Sequence, residues 1–288
     1  MYKIKGETRN MEAKQQSVFK NRNYTFLFIG QFISKLGDQI YDFGLGWYIL
    51  SITHSSSKMG IFLMIGLLPP VIMEPFTGII ADKFSRRKIM IVMDMIRFFI
   101  VSSLAMLLCY NMLHIWTLYI AAAALGICGS VFNPASDSIV PNIVEKDQLA
   151  QASSLEQFYS SICSVIGMLL GVILFGIVGI KIILIFNAIS YFISGFCEFC
   201  IRLPKNNVSL QMKNISFNGV MNELAAGFKF LIQNKALRII FLYISFLSFL
   251  IYPVGMIYIP YIFNVIFKST SFQCSLVQAS FFIGIIIG

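Results

Sequence analysis

Residues 78–88 have the sequence Gly-Ile-Ile-Ala-Asp-Lys-Phe-Ser-Arg-Arg-Lys and lie between two long apolar runs. The preceding run covers about residues 59–81, and the following run covers about 88–110. Since a hydrocarbon core about 30 Å thick needs roughly 20 apolar residues per helix, each run is long enough to cross a bilayer. We therefore predict that 78–88 forms the polar turn between two membrane-spanning helices.

Long apolar runs recur along the rest of the chain. Of its 288 residues, 57% are hydrophobic and 12% charged, which is more apolar surface than a soluble domain of this length can bury. Membrane β-barrels would instead show short segments of alternating polarity. The runs together predict an all-α membrane protein. Predicted spans cover 24–50, 59–81, 88–110, 115–141, a fifth run that ends near Gly179, 182–201 and 239–263, and an eighth begins near Phe272.

The chain is predicted to have four parts. Residues 1–23 form a cytoplasmic leader, 24–201 a six-helix transmembrane bundle, 202–237 a cytoplasmic linker, and 238–288 the start of a second bundle. We expect a short surface helix at 145–157, before the fifth span. Apolar residues at helical spacing predict an amphipathic helix in the linker: Val220, Met221, Leu224, Phe228, Leu231 and Ile232. Because the sequence stops at Gly288 within an apolar run, we expect that it is truncated.

The basic residues predict the orientation of the chain in the membrane. With the N-terminus in the cytoplasm, the outer segments hold Lys58, Lys181 and Lys268, while most other Lys and Arg residues fall in inner segments. The positive-inside rule therefore predicts a multi-pass plasma-membrane protein with a cytoplasmic N-terminus. The formal net charge is +9, but the basic residues form no single patch with interleaved aromatic residues, so we expect no nucleic-acid partner.

Four polar residues of the first predicted span lie on one helical face. Gln31, Lys35, Asp38 and Asp42 occur at positions i, i+4, i+7 and i+11. Ionisable groups inside a bilayer are costly and commonly mark transport paths or proton relays. We hypothesise that Asp38, assisted by Lys35, takes up and releases a proton or contacts a cationic substrate. The alternative is a structural salt bridge that only orients the first helix.

Other polar residues in the spans carry further predictions. Glu74, on the second span, either faces a cavity as a second carboxylate or snorkels to the inner interface. Asp94 and Arg97, at i and i+3, are predicted to form an ion pair that holds the third span against its neighbours. Three acidic residues near inner helix ends are expected at the solvated interface: Asp137, Glu156 and Glu198. Cys197 and Cys200 have CxxC spacing without a second ligand pair, so no metal is expected.

The loop 78–88 resembles the loop signature of the major facilitator superfamily. That signature consists of a glycine, three residues, an aspartate, a basic residue, a spacer and further basic residues. The matching positions are Gly78, Asp82, Lys83, Arg86, Arg87 and Lys88. The resemblance implies that Gly78 lets a partner helix approach and that Asp82 pairs with Arg86 or Arg87 to brace the turn. It also implies that this loop locks against the second bundle.

Two further segments narrow the resemblance to one branch. Residues 132–153, around the end of the fourth span, and residues 31–48 are similar to exporters of the macrolide-efflux and enterobactin-exporter type. Members of this family have 12 spans in two six-helix bundles. The resemblance therefore implies a complete N-terminal half here, plus the first one to two helices of the second half. Gly167 and Gly171 have the small-xxx-small spacing of closely packed membrane helices.

The function that the resemblance implies is secondary active transport by alternating access around a midplane site. We expect proton-coupled efflux of a hydrophobic or amphipathic small molecule, such as a drug, a macrolide or a siderophore. No cofactor is expected, and the complete protein is expected to be a monomer. The alternatives are import of a small metabolite, or a fragment of such a carrier that does not transport.

Two other function classes fit the sequence less well. The sequence has no HExxH, GxSxG or P-loop motif, and its two histidines, His54 and His114, lie near outer loops, so we do not expect an enzyme. A channel would have rings of like residues around a symmetric pore. The charges here occur singly on different helices.

Overall fold

A computed structural model describes residues 18–202, 225–227 and 229–267, together with Gln273 and Val277. All regular structure in this part of the chain is helical, which confirms the predicted all-α class. The first four long helices are α1 (Arg22–Thr53), α2 (Ser56–Lys83), α3 (Arg86–Cys109) and α4 (Ile115–Ile143). They correspond to the first four predicted spans.

The next helical stretch, Leu149–Cys200, contains two spans. Gly179 interrupts it with a φ of 73° and a ψ of 174°, a conformation that glycine adopts readily and other residues avoid. The stretch therefore consists of α5 (149–178) and α6 (180–200), each long enough for one crossing. This break agrees with the predicted end of the fifth span.

The surface helix predicted at 145–157, leading into the fifth span, is continuous with that span. A short 3-10 helix, Lys146–Gln148, leads directly into α5. Residues 149–157 contain neither proline nor glycine, so nothing in them breaks the helix. The Tyr24 hydroxyl donates to the carbonyl oxygen of Ala152 at 3.4 Å, and both residues are buried. The start of α5 therefore packs against α1.

By length and composition, α2 to α6 qualify as membrane spans, whereas α1 does not meet the same criteria. By these criteria, four helical stretches in the described part of the chain could cross a bilayer: Ser56–Met73, Arg86–Cys109, Ile115–Ile143 and Lys146–Cys200. The last stretch is 55 residues long because it contains both α5 and α6. Large apolar side chains point outward, such as Val71 (67% exposed), Phe99 (66%) and Ile177 (76%). A soluble protein would cover such a surface, so this surface is suited to lipid.

Helix α1 lies at the centre of the packing. It contacts α5 and α6, while α2 packs against α4, and α3 packs against α4 and α6. One apolar core includes Leu45 and Ile49 near the C-terminal end of α1. Another includes Leu27, near the N-terminal end of α1, and Met90 of α3. Residues 31–38 of α1, which carry most of the polar face, fall between these two cores.

We call the end of the bundle at the start of α1 its N-terminal side. The Asn21 side chain donates to the Ile143 carbonyl oxygen at the end of α4. The Asn23 side chain donates to the Arg202 carbonyl oxygen at 2.8 Å and accepts from the Arg202 backbone N–H at 2.9 Å. The start of α1 therefore lies beside the ends of α4 and α6, as an alternating up-and-down order of helices requires.

Gly167 and Gly171 allow α5 to approach α1 closely. A methyl group added at Gly171 would lie 2.8 Å from the Ile40 carbonyl oxygen and 3.0 Å from the Cβ of Phe43. A methyl group added at Gly167 would overlap the Gln39 side chain. These contacts confirm the close packing that the small-xxx-small spacing predicts.

The seventh predicted span is also helical. Helix α7 (Lys235–Pro253) continues through two π-helical turns, Val254–Tyr258 and Ile262–Ile266, with Ile259–Tyr261 between them. Residues 225–227 and 229–233 of the linker are helical as well. Val220, Met221, Leu224 and Phe228, and all of the eighth span except Gln273 and Val277, lie outside the described residues. The amphipathic linker helix and the four part boundaries stay predictions.

Candidate functional site

A cavity of about 600 Å³ lies between the helices, and all of α1 to α6 contribute to its wall. Gln31, Lys35, Asp38 and Asp42 all line it. The four residues predicted to share one face of the first span therefore border this cavity. Because these polar side chains face the cavity, they avoid the cost of contact with lipid.

Gln31 joins three helices across one end of the cavity. Its side-chain amide donates to the Ser136 hydroxyl of α4. Its side-chain oxygen accepts from the Tyr159 hydroxyl of α5 at 2.9 Å. All three residues line the cavity, so these bonds hold α4 and α5 against α1 at this level.

Asp137 and Glu156 line the same cavity. The sequence predicted these two residues at the solvated interface near helix ends, and it did not predict that they line the cavity. Asp137 lies more than one turn before the end of α4, and Glu156 lies about two turns after the start of α5. Asp137 directly follows Ser136, and Glu156 lies about one turn before Tyr159. Ser136 and Tyr159 are the two residues that bond to Gln31.

Asp38 connects the cavity to a buried ion pair. Its carboxylate accepts a hydrogen bond from the Tyr191 hydroxyl of α6. The Arg97 guanidinium lies 5.5 Å from the centre of the Tyr191 ring and 4.6 Å from that of Phe132. Arg97 also pairs with Asp94 at 3.3 Å, and both of these side chains are buried. The predicted Asp94–Arg97 pair is thus formed, and it belongs to a cluster with Tyr191 and Asp38.

Lys35 shares the cavity with several carboxylates. Over the described residues, Asp94–Arg97 is the only ion pair, so Lys35 and Asp38 do not form the structural salt bridge considered above. Lys35 lines the same cavity as four carboxylates on three helices: Asp38, Asp42, Asp137 and Glu156. It is therefore a counter-ion to the whole polar wall rather than to one partner.

The other end of the cavity is apolar. Trp47, Met59, Phe62, Val172 and Pro260 line it. The polar wall and this apolar end together give the cavity an amphipathic interior, which suits a ligand that has both a polar group and an apolar body.

A second polar stripe lies on α6, and sequence reasoning did not find it. Its residues Asn187, Tyr191, Ser194 and Glu198 occur at i, i+4, i+7 and i+11, the spacing of the α1 stripe, and each is at most 3% exposed. A methyl group at Gly37 would overlap the Ser190 hydroxyl and lie 2.7 Å from the Asn187 side-chain oxygen. The two stripes therefore face each other. A search for polar as well as charged residues at helical spacing would have found the second one.

The prediction that Glu198 lies at a solvated interface is wrong. Its side chain is 1% exposed, and neither carboxylate oxygen has a hydrogen-bond partner among the described residues. Close packing explains the burial. A methyl group at Gly30 of α1 would lie 3.1 Å from the Cβ of Cys197, and one at Gly195 would lie 2.6 Å from the end of the Met95 side chain of α3.

Arg86 and Arg87 of the 78–88 loop bind the ends of two helices. Arg86 donates to the Ser138 carbonyl oxygen of α4 at 2.6 Å. Arg87 donates to the carbonyl oxygens of Glu198, at 3.0 Å, and Phe199 at the end of α6. Glu198 and Phe199 lie in the last turn of α6, where carbonyl groups lack intrahelical donors and carry partial negative charge, so the Arg87 cation stabilises this helix end. The two arginines thus link the loop to α4 and α6.

Several predicted residues have side chains outside the described part of the chain: Glu74, Gly78, Asp82 and Lys83. The pairing of Asp82 and both interpretations of Glu74 stay predictions. Lys88 is exposed, and its contact with a second bundle stays a prediction too. Among the described residues, no group of three or more His, Cys, Asp or Glu side chains could hold a metal ion.

Comparison with known proteins extends the similarity to nearly the whole chain. The family model described as Major Facilitator Superfamily matches residues 27–288. Macrolide efflux protein A of Streptococcus pyogenes is 25% identical over 270 residues, which cover 94% of this chain and 65% of the relative. The uncharacterized MFS-type transporter YkuC of Bacillus subtilis is 27% identical over 231 residues, or 76% of this chain and 52% of the relative.

The staphyloferrin A transporter of Staphylococcus aureus is a third relative, 27% identical over 171 residues that cover 59% of this chain and 43% of the relative. The chain thus spans 65% or less of the length of these three curated relatives.

Proposed function

The chain belongs to the major facilitator superfamily, and from this premise we propose that it exports a hydrophobic or amphipathic small molecule in exchange for protons. Members of the family are multi-pass membrane transporters. Transport by alternating access requires a site between helices that faces one side of the membrane at a time. The cavity lined by helices α1 to α6 is the candidate for that site.

One observation carries the proposal. The intramembrane charges of α1 line a cavity of about 600 Å³ instead of facing lipid. Ionisable groups in such places mark substrate or ion pathways. The volume lies within the roughly 300–1,000 Å³ of sites for drug-sized ligands. The names of two relatives, macrolide efflux protein A and the staphyloferrin A transporter, support the transport of a small molecule.

We propose that Asp38 carries the coupling proton. It borders the cavity and also accepts from Tyr191, whose ring lies beside the Arg97–Asp94 pair. A proton on Asp38 removes the negative charge that faces this cluster. The contact between α1 and α6 then weakens, and this couples proton binding to the relative movement of helices.

The remaining parts of the proposal concern the surroundings of the cavity. The N-terminal side faces the cytoplasm, as the positive-inside rule predicts. The loop 78–88 locks against a second bundle that begins after the linker 202–237, and Glu74 supplies a second carboxylate to the pathway. The functional unit is a monomer in the plasma membrane.

The test is an efflux assay with the open reading frame that contains this chain, expressed in an efflux-deficient bacterial host. Cellular accumulation of macrolides, dyes and siderophores is compared between the parent, Asp38→Asn and Asp147→Asn. Asp147 is exposed and lies outside the cavity, so its variant controls for expression and for loss of one acidic residue. We expect low accumulation in the parent and the control, and high accumulation in Asp38→Asn.

Two results would contradict this proposal. Export by Asp38→Asn at the parent's rate would show that Asp38 does not carry the coupling proton. If no compound of the panel leaves cells that express the parent, export of this substrate class is wrong, and uptake of a small metabolite becomes the better hypothesis.

A further inference from the structure

We propose that the outer surface of the bundle binds an anionic phospholipid where α1 and α6 meet. In this proposal Arg22 and Arg202 hold the phosphate group, and the acyl chains lie along the two helices. The proposed lipid site is separate from the cavity, so it does not depend on the proposed transport function.

Two stripes of outward side chains border the site. On α1 the spacing i, i+4, i+7 and i+11 places one set on a single helical face: Arg22, Phe26, Ile29 and Ile33. On α6 the same spacing defines a second face: Ile189, Ile193, Phe196 and Cys200. All eight side chains are exposed or half-buried, and none of them lines the cavity. The two stripes are therefore apolar apart from Arg22 and available to lipid.

The stripes meet because α1 and α6 pack closely. A methyl group at Gly30 of α1 would lie 3.1 Å from the Cβ of Cys197 of α6. Gly30 directly follows Ile29, and Cys197 directly follows Phe196, so each stripe runs beside this contact. The cavity lies on the opposite side of the contact, where it is lined by Gln31 of α1 and Tyr191 of α6. The stripes thus form the two walls of a groove on the lipid side, which we call the α1–α6 groove.

Arg22 and Arg202 lie together at one end of the α1–α6 groove. Asn23, next to Arg22, donates to the Arg202 carbonyl oxygen at 2.8 Å and accepts from the Arg202 backbone N–H at 2.9 Å. Both arginine side chains are exposed, and neither forms an ion pair with the described residues. The Arg22 guanidinium lies 5.3 Å from the centre of the Phe26 ring, so it lies over the apolar stripe of α1. Arginine binds phosphate through paired, parallel hydrogen bonds, which suits these two side chains to a lipid head group.

The neighbouring charges keep this end of the groove positive. Lys20 is exposed two positions before Arg22. Glu198, one turn before Arg202, is 1% exposed, so its carboxylate does not reach the surface. Arg87 donates to carbonyl oxygens at the end of α6, and this contact caps the helix. Basic pockets between membrane-spanning helices bind anionic head groups, whereas a zwitterionic lipid brings its own cation to the same place.

The test is lipid binding to the purified product of the reading frame that contains this chain, in detergent micelles. Native mass spectrometry compares dioleoyl-phosphatidylglycerol, which is anionic, with dioleoyl-phosphatidylcholine, which is zwitterionic. We expect wild type to bind the anionic lipid at least about tenfold more tightly. The anionic lipid should also raise the Tm, because it binds the folded state. Glycerol 1-phosphate, which has the phosphate but no acyl chains, should have no effect on the Tm.

Variants of the two arginines test the head-group contact. The double change Arg22→Gln and Arg202→Gln should weaken binding of the anionic lipid by about thirtyfold, about fivefold for each arginine. Replacing both arginines with lysine keeps the charge and should recover part of the affinity. The matched control, Lys58→Gln with Lys181→Gln, removes two exposed charges at the opposite ends of the helices and should bind as wild type does.

A second pair of variants tests the acyl-chain contact. Phe196→Ala removes an exposed ring from the α1–α6 groove and should weaken binding of the anionic lipid. Phe99→Ala removes a similarly exposed ring from α3, outside the groove, and should not. Thermal unfolding of each variant shows that it is folded. If the double glutamine variant does not fold, the two lipids on wild type and the two phenylalanine variants still decide the result.

Four outcomes overturn the inference. The first two are equal affinity of wild type for the two lipids, and wild-type binding by the double glutamine variant. The third is an equal loss in the Lys58 and Lys181 control, which would indicate a general effect of charge. The fourth is an equal rise in Tm with glycerol 1-phosphate, which would indicate a site for free phosphate. None of these measurements involves export, so the inference and the proposed function fail separately.

Discussion

At the scale of single residues, the carboxylates of this bundle differ in their surroundings. Asp38 has the Tyr191 hydroxyl as a partner, whereas Asp42 borders the cavity without a described partner. Glu198 is buried, and its oxygens have no described partner either. A carboxylate that touches water or a cation contributes to binding, but one buried without partners lowers stability.

Replacing Glu198 with methionine is therefore expected to stabilise the protein. Methionine has a similar volume and no polar atoms, so the change removes the penalty of an unsatisfied buried group, about 1–2 kcal/mol. Thermal unfolding in detergent, followed by circular dichroism, measures the effect. Glu145→Met is the control, because Glu145 is exposed at the junction of α4 and α5. A lower Tm for Glu198→Met would mean that the carboxylate has a stabilising partner.

The opposite result is expected for Asp94. Its carboxylate pairs with Arg97 at 3.3 Å, and both side chains are buried. Asp94→Leu leaves the Arg97 charge buried without its partner, which destabilises proteins by about 3–5 kcal/mol. The Tm, or the folded yield after purification, should fall well below that of Glu198→Met. A Tm equal to that of wild type would show that Asp38 or another group replaces Asp94 as the partner of Arg97.

At the scale of elements, α1 is the helix on which the others are arranged. Its polar face borders the cavity, and glycines on α1 and α5 bring α5 and α6 close to it. Arg86 and Arg87 hold the loop after α2 to the ends of α4 and α6. Close packing and capped helix ends replace the hydrophobic driving force that helices lack within lipid.

Gly171→Ala is expected to separate α5 from α1. The added methyl group would lie 2.8 Å from the Ile40 carbonyl oxygen, a backbone atom that cannot move alone. Overpacking of this kind costs about 1–3 kcal/mol. Gly66→Ala is a matched control, because a methyl group there has no atom within 4 Å and alanine favours the helix. Thermal unfolding should show a lower Tm for Gly171→Ala only. Equal Tm values for both variants would contradict the close contact.

At the scale of the whole molecule, the bundle is an amphipathic cavity surrounded by an apolar exterior. Large exposed side chains such as Val71 and Ile177 suit lipid, while the wall of the cavity carries the ionisable groups of α1. The helix ends divide into two sides, with Arg86, Arg87 and Lys146 on the N-terminal side and Lys58 and Lys181 at the opposite ends. This distribution underlies the proposed orientation.

The sequence by itself determined the features that depend on neighbours along the chain. The apolar runs have the lengths of membrane spans, Gly179 marks the break between α5 and α6, and the positions of Gln31, Lys35, Asp38 and Asp42 define one face of α1. Helix periodicity and span length are local properties, so these predictions did not require knowledge of packing. The loop 78–88 was sufficient to indicate the family, which the match over residues 27–288 confirms.

Only the tertiary structure decided which helices meet. The bond from Tyr191 to Asp38 joins residues 153 positions apart, and the bonds of Gln31 join α1 to α4 and α5. The positions of Asp137 and Glu156 on the cavity wall and the burial of Glu198 follow from the same packing. A helical pattern shows which side chains share a face, but what that face meets depends on contacts between segments far apart in the chain.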